Sequence, residues 1–160
     1  MSDRSAIEWT EATWNPATGC DRVSAGCDNC YALTLAKRLK AMGSPKYQAD
    51  GDPRTSGPGF GLTLHPDALT VPYGWRSPRT VFVNSMSDLF HARVPLDFVR
   101  QVFRVVAEPG QLQQSAAVCG HALHRYGETV VGEVPGLLGL QQVCGERVPA
   151  HSLIRSHVRI

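Results

Sequence analysis

The chain has 160 residues, enough for one ordinary domain with a sizeable core and too few for two full ones. Sixteen Lys and Arg against fourteen Asp and Glu leave a formal charge of +2, which excludes a strongly basic nucleic-acid or anionic-membrane surface and leaves room only for a local basic patch. No run approaches the ~20 apolar residues that span a bilayer, and Met1 to Glu11 lacks the apolar core of a signal peptide, so the chain reads as cytoplasmic with no membrane partner.

In chain order, Ala6 to Thr13 predicts a short strand, with Ile7 and Trp9 on either side of Glu8, ending before Asn15-Pro16. Pro16 and Gly19 bend the backbone, and Cys20 to Cys27 reads as a loop. Asp28 or Asn29 offers a cap to a helix over Tyr31 to Met42, in which Leu35, Leu39 and Met42 share a stripe. Lys37, Arg38 and Lys40 face solvent near its carboxyl end, and Gly43 stops it. Gly43 to Pro78 holds six Gly and six Pro and reads as a long connection, with Leu62 to Leu64 extended. A connection of that length is either a functional cover or a surface excursion fixed by Phe60 and Trp75. Thr80 to Val83 is a core strand that turns abruptly into the polar run Asn84 to Asp88. Pro95 then opens a second helix, with Leu96, Val99, Phe103 and Val106 on one stripe, through about Ala107.

Composition changes there. Eleven of the twelve aromatic residues, and every Asp, Lys and Trp, precede Glu108. Residues 1–107 form a cysteine-loop α/β region, and 108–160 form an atypical continuation whose shift fits a natural extension, a flexible tail, or a truncated or frame-altered reading. Within it Thr129 to Val131 reads as a brief strand and Leu137 to Val143 as a helix interrupted by Gly139. Short strands alternating with helices predict an α/β fold, a partial or truncated parallel barrel-like unit, since a complete barrel takes ~250 residues.

The five cysteines are Cys20, Cys27, Cys30, Cys119 and Cys144, an odd set that does not describe a disulfide framework. Cys20-x6-Cys27-x2-Cys30 sets two thiols across a tight turn, and the longer loop can return the first to the same centre. Three thiolates suit zinc, with a fourth ligand from elsewhere, or a [4Fe-4S] cluster with one iron left open. In radical S-adenosylmethionine enzymes the cofactor chelates that open iron, and the protein's task is positioning and shielding.

The text Trp9-Thr10-Glu11-Ala12-Thr13-Trp14-Asn15-Pro16, then Gly19-Cys20, Gly26-Cys27-Asp28-Asn29-Cys30-Tyr31 and later Val81 to His91, resembles a phage-associated family of unknown function with a three-cysteine, radical-S-adenosylmethionine-like amino-terminal region. The resemblance covers Ser5 to Ala107 and implies a barrel-related α/β fold and an iron-sulfur site. Related chains continue with further α/β units. The x6 then x2 spacing also departs from the usual x3 then x2 of radical-S-adenosylmethionine enzymes.

Ligands in parallel α/β folds collect beyond the carboxyl ends of strands, where both the cysteine loop and Asn84 to Asp88 are expected. Asp88 can bind an ammonium and Ser85 can orient an oxygen of S-adenosylmethionine, against ordinary roles in capping and loop stabilisation. Asn84 and Asn15 can bridge to cofactor or make ordinary turn bonds, and Tyr31 and Phe60 can exclude water or simply pack. His65, His91, His121 and His124 lack a paired motif and read as surface or packing residues, and Cys119 and Cys144 as ordinary thiols. The resulting expectation is a phage-related iron-sulfur, radical-S-adenosylmethionine-like protein acting in nucleic-acid or macromolecular modification on an unknown substrate or partner. The alternatives are a zinc-stabilised nucleic-acid or partner-binding module and an inactive fragment.

Overall fold

The computed structural model describes residues 10–77, 79–107 and 116–118. Three short strands, β1 (Ala12–Trp14), β4 (Val81–Val83) and β5 (Ala116–Val118), form a parallel sheet in the order β1-β4-β5. Ala12 pairs with Val81 and Trp14 with Val83, while Val81 pairs with Ala116 and Val83 with Val118. A second, antiparallel pair joins β2 (Ala17–Thr18) to β3 (Thr63–Leu64). Helix α1 (Tyr31–Ala41) lies between β1 and β4, and α2 (Leu96–Ala107) between β4 and β5.

Parallel strands need crossover connections, and here each crossover carries one helix, which makes the fold α/β. The sheet of described residues is small and open and does not close into a barrel.

The core forms where α2 meets the sheet. Phe98, Val99, Val102, Phe103 and Val105 recur at helical spacing and pack with Trp14, Val81, Val83, Leu89 and Phe90. Trp14 is fully buried, and its indole N–H donates to the Ala68 carbonyl at 2.7 Å, so the large ring is inserted without an orphaned donor. That bond also anchors the 3₁₀ segment Pro66–Gly74 against β1, while Trp75 packs on the core edge with Arg79 stacked 5.2 Å over its ring.

A smaller cluster lies under α1. Ala32 and Ala36 are buried against Tyr47, Phe60 and Met86, with Leu33, Leu35 and Leu39 partly buried beside them. The apolar stripe therefore runs Ala32, Leu35, Ala36, Leu39 and omits Met42, which is 75% exposed just past the end of the helix. The small residues face inward because the backbone of the Gly/Pro-rich excursion comes close. A Cβ built on Gly59 would lie 2.9 Å from the Ala36 carbonyl oxygen.

Several expectations shift in register. Among the described residues the first strand occupies Ala12–Trp14, leaving out Thr10 and Glu11 and running one residue past the expected end at Thr13, and Ile7 and Trp9 lie outside the described residues. Cys30, in extended conformation, is the N-cap of α1 instead of Asp28 or Asn29. Asp28 is already committed to the preceding turn, where its N–H bonds the Ala25 carbonyl at 3.1 Å. The expected elements at 129–131 and 137–143 lie outside the described residues. No helix among the described residues is long and apolar enough to cross a membrane.

Candidate thiol site at the strand ends

The loop after β4 is stitched to the chain after β1. Asn84 N–H donates to the Trp14 carbonyl at 2.8 Å, Gly19 N–H to the Met86 carbonyl at 2.9 Å, and Ser87 Oγ to the Ala17 carbonyl at 3.0 Å. Asn15 Oδ1 accepts from both Ser85 Oγ at 3.2 Å and Met86 N–H at 3.1 Å. These bonds continue the β1–β4 pairing past the ends of the strands, and Gly19 and Ser87 form one further parallel bridge. Because Cys20 follows Gly19 directly, it is carried to the carboxyl end of the sheet beside the 84–88 loop.

Gly19 makes this approach possible. Its φ of +86° lies in the left-handed region, and a Cβ there would stand 2.2 Å from the Gly61 carbonyl oxygen. Gly61 in turn sits on the backbone of Asp50, so the Gly/Pro excursion is drawn over the thiol loop by two glycines without side chains. Phe60, between Gly59 and Gly61 in this cover, is 3% exposed.

Cys20 and Cys30 both pack against the cluster of Ala32, Ala36, Tyr47, Phe60 and Met86. Cys27 is buried at the end of a 3₁₀ turn, Ala25–Cys27, with Ser24 Oγ 3.7 Å from its sulfur. Burial pushes the Cys20 thiol up to about 12, helped by the negative charges of Asp88, Cys27, Asp21 and Cys30. Cys20 therefore lies within electrostatic range of the other two thiols and of both carboxylates. Among the described residues, no group of three His, Cys, Asp or Glu side chains is gathered closely enough to hold a metal ion in this conformation.

The polar residues divide by role. Ser85 and Asn15 bond each other, and the Ser85 carbonyl accepts the Tyr31 hydroxyl at 2.5 Å, so Tyr31 ties the first turn of α1 to the β4 loop while remaining 54% exposed. Asp88 is buried and caps its own turn, accepting from Phe90 N–H at 2.9 Å. Asn84 is fully buried at φ +56°. Its Oδ1 accepts weakly from Ala17 N–H at 3.4 Å, and its Nδ2 has no hydrogen-bond partner among the described residues. His65 bonds Thr18 Oγ1 at 2.8 Å, and burial, reinforced by Lys46, holds its imidazole below the ordinary range.

Asp21 was not singled out by sequence reasoning, yet its carboxylate meets four side chains from two other stretches of the chain. Oδ1 accepts from Thr55 Oγ1 at 2.8 Å and Ser56 Oγ at 3.2 Å, while Oδ2 lies 2.9 Å from both His91 Nε2 and Arg93. Burial opposes its ionisation, but the bonds from Thr55, His91 and Ser56 and the Arg93 charge outweigh it and hold the carboxyl at about 2. Its one sequence signal is adjacency to Cys20. Met86 was likewise overlooked, since a methionine within a polar run does not announce that it packs beside thiols. Cys119, Cys144, His121 and His124 lie outside the described residues.

The fold and site define a small α/β protein with a thiol-bearing loop at the carboxyl end of a parallel sheet. A family model matches residues 4–116, and the chain belongs to that family, DUF5131, proteins of unknown function. The match runs from before β1 to the first residue of β5 and includes all three cysteines and the 84–88 loop. No curated protein and no solved structure shows a significant match.

Proposed function

We propose that the chain is a metal-binding α/β protein of radical-S-adenosylmethionine-like type, in which Cys20, Cys27 and Cys30 hold a [4Fe-4S] cluster and the 84–88 loop receives S-adenosylmethionine. The observation that carries the reading is the stitching of the Asn84-to-Asp88 loop onto the segment leading to Cys20, which makes a soft-donor loop and a polar loop neighbours at the ligand-binding end of a parallel sheet. The donor types suit such a cluster. The loop supplies three thiols, and among the described residues the other anions acting on Cys20 are the carboxylates of Asp88 and Asp21. A cluster iron is thus left open to a small-molecule ligand once the thiols, which are not gathered around one centre in this conformation, close on it. The sheet then corresponds to an opening portion of a barrel-like unit.

When bound, such a cluster supplies the electron for reductive cleavage of S-adenosylmethionine. The chain's own residues do the rest. Phe60 and Met86 exclude water on the inner side of the thiols, and Gly19 and Gly61 let the cover lie flat. Asp88 offers negative charge for the ammonium group of a bound amino acid, Ser85 and Asn84 border the same loop, and Tyr31 fixes it from α1. The substrate class that accompanies this reading is a nucleic acid or other macromolecule in a phage-related setting.

A second reading is zinc bound by the three thiolates with Asp88 as fourth ligand, a site that contributes folding energy without redox chemistry. The burial of Asp88 and the effect of its charge on Cys20 favour it. Anaerobic purification with iron, sulfide and zinc quantitation, repeated for C20A, C27A and C30A, separates the two. The cluster reading expects iron and sulfide that each variant loses, followed by formation of 5′-deoxyadenosine from S-adenosylmethionine under reducing conditions. Near-stoichiometric zinc, with no iron-sulfur absorbance after reconstitution, refutes it.

A further inference from the structure

Two of the three thiols share one turn. Cys30 N–H donates to the Cys27 carbonyl at 3.2 Å, which closes a four-residue turn over Asp28 and Asn29. A turn of that kind keeps its end Cα atoms within about 7 Å. Disulfides span Cα separations of roughly 4.4–6.8 Å, so the backbone holds Cys27 and Cys30 within bonding reach. The turn is fixed on both sides. Cys27 N–H and Asp28 N–H bond the Ser24 and Ala25 carbonyls at 3.0 and 3.1 Å, and Cys30 is the N-cap of α1. As the cap, Cys30 stands just outside the helix, and Asp28 and Asn29 are exposed. A bond across the turn therefore requires no unwinding of α1 and no repacking of the two residues it spans.

Cys20 is held elsewhere. Gly19 N–H bonds the Met86 carbonyl and Gly19 pairs with Ser87, which ties this thiol to the β4 loop, and its sulfur donates to the Asp21 carbonyl at 3.4 Å. All three cysteines are thiols in the structure, and among the described residues they are not gathered around one centre. The arrangement is a pair and a single thiol.

We propose that Cys27 and Cys30 are a dithiol pair that closes reversibly to a disulfide, with Cys20 left as a thiol. The oxidant is of the low-molecular-weight disulfide class, such as oxidised glutathione. Cys30, the more accessible of the two, attacks one sulfur of the oxidant as its thiolate, and the S–S bond breaks to release one thiolate. Cys27, 8% exposed, then attacks the Cys30 sulfur, forms the protein disulfide and releases the second thiolate. The protein gives up two electrons and two protons, and the oxidant becomes two thiols. The content of the inference rests on the turn alone. Its consequence rests on the metal reading: oxidation removes two of three donors, so only the reduced chain loads a cluster or zinc.

Trypsin separates the thiols, since Cys20 falls in peptide 5–22, Cys27 and Cys30 in 23–37, Cys119 in 105–125 and Cys144 in 126–147. Reduced, metal-free protein is equilibrated with mixtures of reduced and oxidised glutathione, trapped with N-ethylmaleimide, digested and weighed by mass spectrometry. Peptide 23–37 is expected to lose two hydrogens and take no label, while 5–22 stays labelled. C20S should match wild type within about twofold, and C27S should retain glutathione on Cys30. Because the fold preorganises the turn, the oxidised fraction relative to reduced should be about tenfold higher in the protein than in a synthetic peptide 23–37 at the same glutathione ratio. Equal ratios in protein and peptide, or a cross-link between 5–22 and 23–37 as the main product, overturns the proposal. Iron and zinc loading is measured separately on the reduced and oxidised forms. If the reduced form binds neither metal, the metal reading fails, and the peptide ratio still decides the pair.

Discussion

Gly19→Ala tests the close approach on which the site is built. The substitution has two costs. An alanine at φ +86° sits in the left-handed region, worth about 1–2 kcal/mol. Its Cβ would also stand 2.2 Å from the Gly61 carbonyl oxygen, 2.4 Å from its carbon and 2.7 Å from Leu62 N, all backbone atoms that no side-chain rotation can clear. The cover has to lift by about 1 Å, which strains the 3.0 Å bond from Gly61 N–H to the Ala49 carbonyl and loosens Phe60, for roughly 1–3 kcal/mol more. The sum, about 2–5 kcal/mol, corresponds at a typical urea dependence to a midpoint lower by about 1–3 M. Gly43→Ala is the control. Its φ of +75° carries the same conformational cost, but nothing lies within 4 Å of the added Cβ, so about 1–2 kcal/mol is expected. Urea unfolding followed by far-UV circular dichroism measures both. Equal losses for G19A and G43A would refute the argument, since the whole difference is assigned to the Gly61 backbone.

Asn84 occupies left-handed backbone at the end of β4, and its Nδ2 has no partner among the described residues, so Asn84→Gly should cost at least 1 kcal/mol less than Asn84→Ala in the same urea assay, about the penalty for a Cβ in that conformation. Phe103→Ala, at the centre of the α2 face and 1% exposed, should lower stability by about 3–5 kcal/mol, against less than about 0.5 kcal/mol for the exposed Gln101→Ala one turn away from the core. The Asp21 carboxyl is held at about 2 in the fold, below its unfolded value, so its stabilisation is present above pH ~4 and is lost as pH falls from there toward 2. Because the side chain is a quarter exposed, the loss should be on the order of 1 kcal/mol, and D21N should flatten that limb of the pH–stability curve. His65 has its pKa lowered by burial and by Lys46, so its contribution is present above the unfolded value and fades as pH falls below about 6.5, a step that H65Q should remove.

The elements that were legible in the sequence are those specified by local pattern. The run Val81 to Val83 followed by a polar segment, and the stripe Leu96, Val99, Phe103 behind Pro95, announce β4 and α2 because their side chains alone state what must be buried. Helix α1 was visible, but its inward face was not. Leucines and Met42 suggested one stripe, whereas the excursion's backbone approaches so closely that alanines occupy the centre and Met42 falls outside. The end of the first strand was not legible to the residue, because a three-residue strand carries too little alternation to fix its own register, and its position follows from pairing with β4.

The candidate site divides in the same way. The sequence alone determined which soft donors are available and that two of them share a turn, because residue identity and short spacing are covalent facts. Tertiary structure decided that Cys20 packs on the same apolar cluster as Cys30, that Ser85 and Asn15 stitch loops together, and that Asp21 binds partners up to 72 residues distant. Those relations depend on hydrogen bonds whose two ends meet only after the strands have paired, and no local pattern in the chain encodes the address of a distant partner.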